Sequence, residues 1–165
     1  MKKIFLSVTL LLALQYGFSQ ASVSYYKGEW TMVNKQDLFT GILKIAIDAE
    51  GKTKAEMVWT YLATDSTNKD LVEMYKGKKG RSGIEYADGS FSVTTNDFIF
   101  EGKKADDPAQ ILGLDKYHIK LSANKQAIYG TTETQGTNEG LLYAGKLDNT
   151  TGEKEFMAAK ARVKK

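Results

Sequence analysis

Apolar and polar residues alternate with a period of two along most of this chain. Between Leu38 and Asp48 the apolar residues fall mainly on odd-numbered positions, and the alternation resumes from Thr53 to Thr64. The intervening residues 49–52 have the composition of a turn. Alternation over runs of this length is typical of half-buried β-strands, so the two runs predict a β-hairpin.

The alternation continues through the second half of the chain, in short runs joined by residues typical of turns. Asp88-Gly89 is a dipeptide favoured in two-residue hairpin turns, which predicts that one strand ends before it and another begins after it. The predicted strands of this half cover residues 83–87, 90–95, 98–103, 116–122, 126–134, 139–147 and 155–164.

One interval, residues 65–80, breaks the alternation. Thr67 followed three residues later by Asp70 resembles a capping box, and Gly77 is a stop signal. Between them, apolar residues recur at helical spacing at Leu71, Met74 and Tyr75. The interval therefore predicts one short helix.

The order of the predicted elements favours an antiparallel meander. Fifteen glycines and a single proline suit many short strands joined by tight turns, and neither an interdomain linker nor a fixed repeat is visible. A long meander tends to close, because closure removes exposed strand edges. We predict an all-β, single-domain, up-and-down β-barrel of eight to ten strands with one short helix; a β-sandwich is the alternative.

Residues 1–19 have the layout of a bacterial secretory signal peptide. Two lysines open the segment, residues 4–14 form an apolar core, and Gly17 and Ser19 place small side chains at the −3 and −1 positions of a cut. The apolar run is too short to span a bilayer comfortably, and no second run follows. We expect the mature domain, residues 20–165, to be exported to the periplasm or the extracellular space.

The chain contains no cysteine and carries little net charge without its signal peptide. The absence of cysteine excludes disulfides and the lipid anchor that bacterial lipoproteins carry on a cysteine. The formal net charge of +3 includes Lys2 and Lys3, which would leave with the signal. The basic clusters at 76–81 and 162–165 have few interleaved aromatic residues. We therefore expect neither nucleic-acid binding nor attraction to anionic membranes.

Near the start of the mature domain, Gly28-Glu29-Trp30 resembles the Gly-x-Trp signature of lipocalins and avidins, the calycin group of up-and-down barrels. The resemblance implies that Trp30 plugs one end of the barrel and that a basic residue of the last strand, here Arg162, packs over its ring. Gly28, Trp30 and Arg162 would then mark barrel closure. The Thr-Asp-Tyr motif of typical lipocalins is absent. Residues 80–121 also resemble uncharacterised small bacterial secreted proteins.

The polar candidates for catalysis or metal binding lack the partners that such chemistry needs. His118 is the only histidine and faces away from the apolar side of its predicted strand, and no serine occupies a nucleophile elbow. Asp106, Asp107 and Asp115 lack the ligand spacing of a calcium loop, and Asp106-Asp107-Pro108 favours a polar turn. We predict an exposed histidine, no catalytic triad, and neither a metal nor a cofactor.

Glu85 and Glu101 lie on neighbouring predicted strands. They could form the carboxylate pair of a glycosidase if their side chains met across a groove. Strand glutamates are usually solvated, however, and we expect a protein without enzymatic activity.

Aromatic residues are frequent on the predicted strands. A small barrel is either packed solid or holds one small ligand, and tyrosine suits a cavity wall because its phenol can donate a hydrogen bond. The predicted function is to bind a small apolar ligand; the alternative is a surface module for a protein or glycan, with residues 104–114 as its contact loop. The predicted cavity wall consists of Trp59, Tyr61, Tyr117, Tyr129 and Tyr143.

Overall fold

The computed structural model describes residues 21–33, 37–134 and 138–163, so the predicted signal peptide lies outside the described residues. Within these ranges the chain forms eight strands and two helices. The strands are β1 (Ser22–Met32), β2 (Asp37–Ile47), β3 (Lys52–Thr64), β4 (Ser82–Ser92), β5 (Asp97–Asp106), β6 (Asp115–Leu121), β7 (Ala127–Thr134) and β8 (Asn138–Leu147). The helices are α1 (Lys69–Met74) and α2 (Asn149–Val163). Neither helix is long and apolar enough to cross a bilayer.

The eight strands form a closed antiparallel meander. Each strand pairs with the next along the chain, and β8 pairs with β1. Gly28 lies at this closing seam, with Ala144 as its Cα partner. A Cβ atom on Gly28 would lie 2.0 Å from the carbonyl oxygen of Tyr143, so the close approach of β1 and β8 requires a glycine. The prediction of an up-and-down barrel is confirmed, and the sandwich alternative is wrong.

The segment predicted as the last strand, residues 155–164, is helical instead. Gly152, Phe156 and Val163 are buried at helical spacing on α2, which packs outside the barrel against β1–β4. The Asp148 carboxylate accepts a hydrogen bond from the Thr151 backbone N–H at 2.9 Å and caps the start of the helix. Residues 153–162 are mostly glutamate, lysine, methionine, alanine and arginine, whose intrinsic propensity favours a helix and overrides the weak alternation.

This correction changes the predicted role of Arg162. Arg162 lies exposed on α2, beside a surface groove that also contacts Lys27 and Thr40 on the outside of the barrel. Trp30 lines the opposite, interior side of β1. The predicted packing of Arg162 over Trp30 from a last strand is therefore wrong, and β8 closes the barrel.

The predicted turn at Asp88-Gly89 is also wrong, because β4 runs straight through it. A Cβ atom on Gly89 would lie 1.9 Å from the carbonyl oxygen of Ile99, so this glycine permits close contact with β5 rather than a reversal. The reversal comes later, where Asn96 takes a positive φ of 56°. Asparagine tolerates that left-handed conformation better than most residues.

The two ends of the barrel differ in their connections. At one end the strands are joined by short turns, such as residues 48–51 and 122–126. At the other end lie the two longest described connections, residues 65–81 and 107–114. The first contains α1, as predicted, but the helix is capped by Asn68, whose side chain accepts from the Asp70 N–H at 3.0 Å.

The interior is packed toward the end with short turns. Leu43, Met57 and Ile128 are fully buried there. The rings of Phe98 and Phe100 stack with centroids 5.5 Å apart, which fills the space between β5 and its neighbours. A second apolar cluster lies outside the barrel, beneath α2.

Candidate functional site

The end with the long connections holds a cavity of about 310 Å³. A volume of this size lies within the usual range of small-molecule pockets. The lining residues, which together define the pocket, are Trp30, Met32, Asp37, Phe39, Trp59, Leu71, Met74, Tyr75, Glu85, Gln110, Ile111, Leu112, Gly113, Asp115 and Tyr117.

Aromatic rings from β1, β2, β3 and the end of α1 pack together along one wall of the pocket. Trp30 of β1 packs edge-on against Phe39 of β2, with centroids 5.3 Å apart, because the two residues are Cα partners. Phe39 in turn packs against Tyr61 at 5.4 Å, and Tyr61 stacks on Tyr75 at 4.5 Å. The indole N–H of Trp30 donates to the Thr132 hydroxyl at 2.7 Å, which fixes the orientation of the ring. The wall is therefore rigid and apolar.

Two connections cover the pocket, and we call residues 69–75 and 107–114 the lid. Within the lid, the side chain of Ile111 is buried. The Leu112 N–H donates to the Asp107 carboxylate at 2.6 Å, which holds the second connection in a compact loop. The Lys78 ammonium donates to the Gln110 carbonyl at 2.9 Å and so joins the two halves of the lid. In contrast, α1 has no buried residue of its own.

A buried carboxyl group, that of Glu85, lies on the floor of the pocket. It accepts hydrogen bonds from the Asp115 backbone N–H at 2.9 Å and from the Tyr117 hydroxyl. Gly102 on β5 leaves room for it, since a Cβ atom there would lie 2.2 Å from Glu85 Oε1. A β-bulge beside Gly102 shifts the register of β4 and β5 at this point. Such bulges often lie next to functional sites.

Burial raises the pKa of Glu85 to about 8. The hydrogen bonds from Tyr117 and from the Asp115 backbone lower this pKa, and the charge of Asp115 raises it, but burial dominates. Burial also raises the pKa of Tyr117 well above its ordinary value, so its hydroxyl keeps its proton and donates. At pH 7 the Glu85 carboxyl therefore carries a proton and is neutral. It gives the floor of the pocket hydrogen-bonding groups but no charge.

A second carboxyl group, that of Asp37, lies near the rim. Asp37 is only 2% exposed, although it lines the pocket. The Thr64 side chain hydrogen-bonds this carboxyl and lowers its pKa, while burial, the larger effect, raises it. Within the described part of the chain, Asp37 Oδ1 has no hydrogen-bond partner. Burial of a carboxylate oxygen without a donor is unfavourable, so this atom is a candidate contact for a ligand.

The side chains described in the lining of the pocket that can ionise near neutral pH are all carboxyls. Asp37, Glu85 and Asp115 line it, whereas no lysine, arginine or histidine among the described residues does. No group of three or more potential ligands in the described ranges has the arrangement needed to hold a metal ion. The chemistry that the site offers is therefore apolar contact, aromatic faces and acidic hydrogen-bonding groups.

The structure brings together only part of the predicted cavity wall. Trp59 and Tyr117 line the pocket, and Tyr61 is buried behind Phe39. Tyr129 and Tyr143 are 45% and 64% exposed on the outer face. Their inclusion in the wall is wrong, because the alternate residues of β7 and β8 fill the interior.

The polar candidates outside the pocket are separated from one another. His118 is exposed, as its alternation predicts. Glu101 is exposed and pairs with Lys103, whereas Glu85 points inward, so these two carboxyls do not face each other across a groove as a glycosidase pair would need. Asp106 accepts a hydrogen bond from the Tyr86 hydroxyl at 2.9 Å.

Sequence reasoning missed Asp37 and the inward position of Glu85. Asp37 lies two residues before Phe39, on the face of β2 that the alternation assigns to the interior. Glu85 lies two residues before the buried Ala87 on β4. For both residues, the sequence signal is an acidic side chain at a strand position that the alternation assigns to the apolar face.

Comparison with known proteins adds no further constraint: no protein family, no curated protein and no solved structure matches the chain. The resemblance to the calycin group, based on Gly28 and Trp30, stays a prediction. The functional argument therefore rests on the geometry of the pocket.

Proposed function

We propose that this protein is an exported, non-enzymatic barrel that binds a small, largely apolar molecule in the pocket. The observation that carries the proposal is the cavity of about 310 Å³ at the end with the long connections, which the lid covers in part and aromatic rings wall. Side chains such as Leu43 and Met57 fill the interior below it. The closed eight-stranded meander and the Gly28-x-Trp30 signature support a calycin-like mode of binding.

The pocket is open to solvent on one side, and α1, which borders this opening, is the part of the lid best suited to move. It has six residues and no buried side chain. Short elements with few buried contacts open at low free-energy cost. Met74 of α1 lines the pocket yet is 47% exposed, which places it at the mouth.

A fluorescence titration with N-phenyl-1-naphthylamine, an uncharged apolar probe, tests the proposal. We expect saturable binding by wild-type protein and weaker binding by Met74→Trp, because the larger side chain would obstruct the mouth. Val72→Trp is the matched control, since Val72 lies on the same helix, is 45% exposed and does not line the pocket. Equal loss in both variants, or no saturable binding by the wild type, would contradict the proposal.

A second candidate function is that of a glycan-interaction module on the outer face. It is favoured by the exposed rings of Tyr129 and Tyr143, which are Cα partners on adjacent strands. An exposed tyrosine offers an apolar ring face and a hydroxyl for hydrogen bonds, which suits contact with a glycan. A Tyr129→Ser/Tyr143→Ser variant would lose binding on a glycan array under this function. It would keep binding N-phenyl-1-naphthylamine under the first.

A further inference from the structure

The unpartnered oxygen of Asp37 indicates which chemical group the ligand carries. Asp37 is 2% exposed, Thr64 hydrogen-bonds its carboxyl, and Oδ1 is buried and lacks a donor among the described residues. Buried polar atoms in folded proteins nearly always have a hydrogen-bond partner. A ligand in the pocket that Asp37 lines could supply the missing donor.

The surroundings of Asp37 favour a positively charged donor. Asp115 is a further carboxyl of the lining, Glu85 keeps its proton at pH 7, and the lining includes no cationic side chain from the described ranges. Lys78, at the mouth, already donates to the Gln110 carbonyl and lies 5.9 Å from the centroid of the Tyr75 ring. A cation beside Asp37 would therefore be attracted by its carboxylate, and no cationic side chain of the described lining would oppose it.

The aromatic wall favours the same ligand. Phe39 lies two residues from Asp37 on β2, and its ring packs between those of Trp30 and Tyr75. The negative π-faces of such rings attract ammonium groups, and the rings also offer apolar surface against which a carbon chain can pack. The pocket thus offers an anionic acceptor beside an apolar, cation-tolerant surface.

We propose that the ligand is an amphiphilic amine, whose protonated nitrogen donates to Asp37 Oδ1 while its apolar body lies against Trp30 and Phe39. This inference rests on the proposed function and specifies the class of molecule that the pocket selects. Anionic amphiphiles, including fatty acids, are disfavoured by the acidic lining. Quaternary ammonium compounds carry the charge but no N–H donor, so they bind more weakly than primary amines.

Three probes of matched size test the proposal: 4-phenylbutylamine, 4-phenyl-1-butanol and 4-phenylbutyrate. Each would be titrated against bound N-phenyl-1-naphthylamine at pH 7. We expect the amine to bind about tenfold more tightly than the alcohol, the size of effect typical of a hydrogen bond to a charged group. The carboxylate should bind most weakly.

Asp37→Asn removes the charge and nearly preserves the shape, so the amine should lose its advantage over the alcohol. Asp65→Asn, an equal change of charge at an exposed position, should leave the preference intact. If Asp37→Asn does not fold, the ¹³C NMR chemical shift of the Asp37 carboxyl is measured in the wild-type protein instead. That shift should move on addition of 4-phenylbutylamine, and the shift of Asp65 should not.

The outcomes separate the two proposals. If N-phenyl-1-naphthylamine and all three probes fail to bind, the proposed function is wrong. If they bind but the amine has no advantage, or keeps it in Asp37→Asn, or leaves the Asp37 carboxyl shift unchanged, only the assignment of the amine is wrong.

Discussion

The protonated carboxyl of Glu85 makes the stability of the barrel depend on pH in a direction opposite to that of most acidic residues. Its pKa is about 8 in the folded protein, against an ordinary value of 4.5. Between these two values the folded state holds a proton that the unfolded state has released. Stability is therefore lost as pH rises from about 4.5 to about 8, and it changes no further above that range.

Replacement of Glu85 by glutamine isolates this effect. The amide resembles the protonated acid, so it can still accept from the Asp115 N–H and hydrogen-bond the Tyr117 hydroxyl. For each pH unit between the two pKa values of Glu85, the free energy of unfolding of the wild type falls by about 1.4 kcal/mol. The variant has no proton to release at this position, so its free energy of unfolding does not fall for this reason. Relative to wild type, Glu85→Gln should therefore gain about 4 kcal/mol between pH 5 and pH 9.

Urea unfolding followed by tryptophan fluorescence measures the difference, with both proteins at pH 5, 7 and 9. Glu101→Gln is the control, because this exposed carboxyl has its pKa lowered by the hydrogen bond from Lys103 and titrates below the tested range. The free-energy difference between Glu101→Gln and wild type should not rise from pH 5 to pH 9. If the free-energy difference between Glu85→Gln and wild type stays constant within about 1 kcal/mol from pH 5 to pH 9, the buried proton is refuted.

Two further variants test the packing around the pocket and the helix. Gly102→Ala should destabilise the protein by about 2 kcal/mol in urea unfolding, because the new methyl would displace the Glu85 carboxyl; Gly145→Ala, with open space around it, should change little. Phe156→Ala should cost about 3–4 kcal/mol by removing the ring that anchors α2, whereas Met157→Ala, 58% exposed on the same helix, should cost less than about 0.5 kcal/mol. Equal effects within either pair would contradict the packing described.

The barrel itself could be predicted because alternation is a local signal that survives in the fold. The hairpin of β2 and β3 matches its predicted runs closely, since its apolar face is buried and its turn is short. The identity of the closing strand could not be read in the same way. Residues 155–164 alternate weakly, yet Phe156 and Val163 also fit a helical stripe, and only packing against the outside of β1–β4 decides between the two patterns.

The pocket was less predictable than the fold, for two physical reasons. Odd and even positions along a strand distinguish inward-facing from outward-facing residues. Residue type alone does not, and it places the exposed Tyr129 and Tyr143 in the cavity wall. The lid brings residues 69–75 and 107–114 over the same opening, and contacts between connections so far apart in sequence leave no local pattern. Asp37 was detectable in principle, as an acidic residue in an apolar register.

The seam between β1 and β8 joins segments from opposite ends of the domain. Gly28 of β1 and Ala144 of β8, for example, are Cα partners across this seam. Folds dominated by such distant pairings form slowly, because a large loop must close before the contacts are gained. The domain should thus complete its folding only when its eighth strand becomes available. A chain truncated before Asn138 would keep two unpaired strand edges, the arrangement that promotes aggregation.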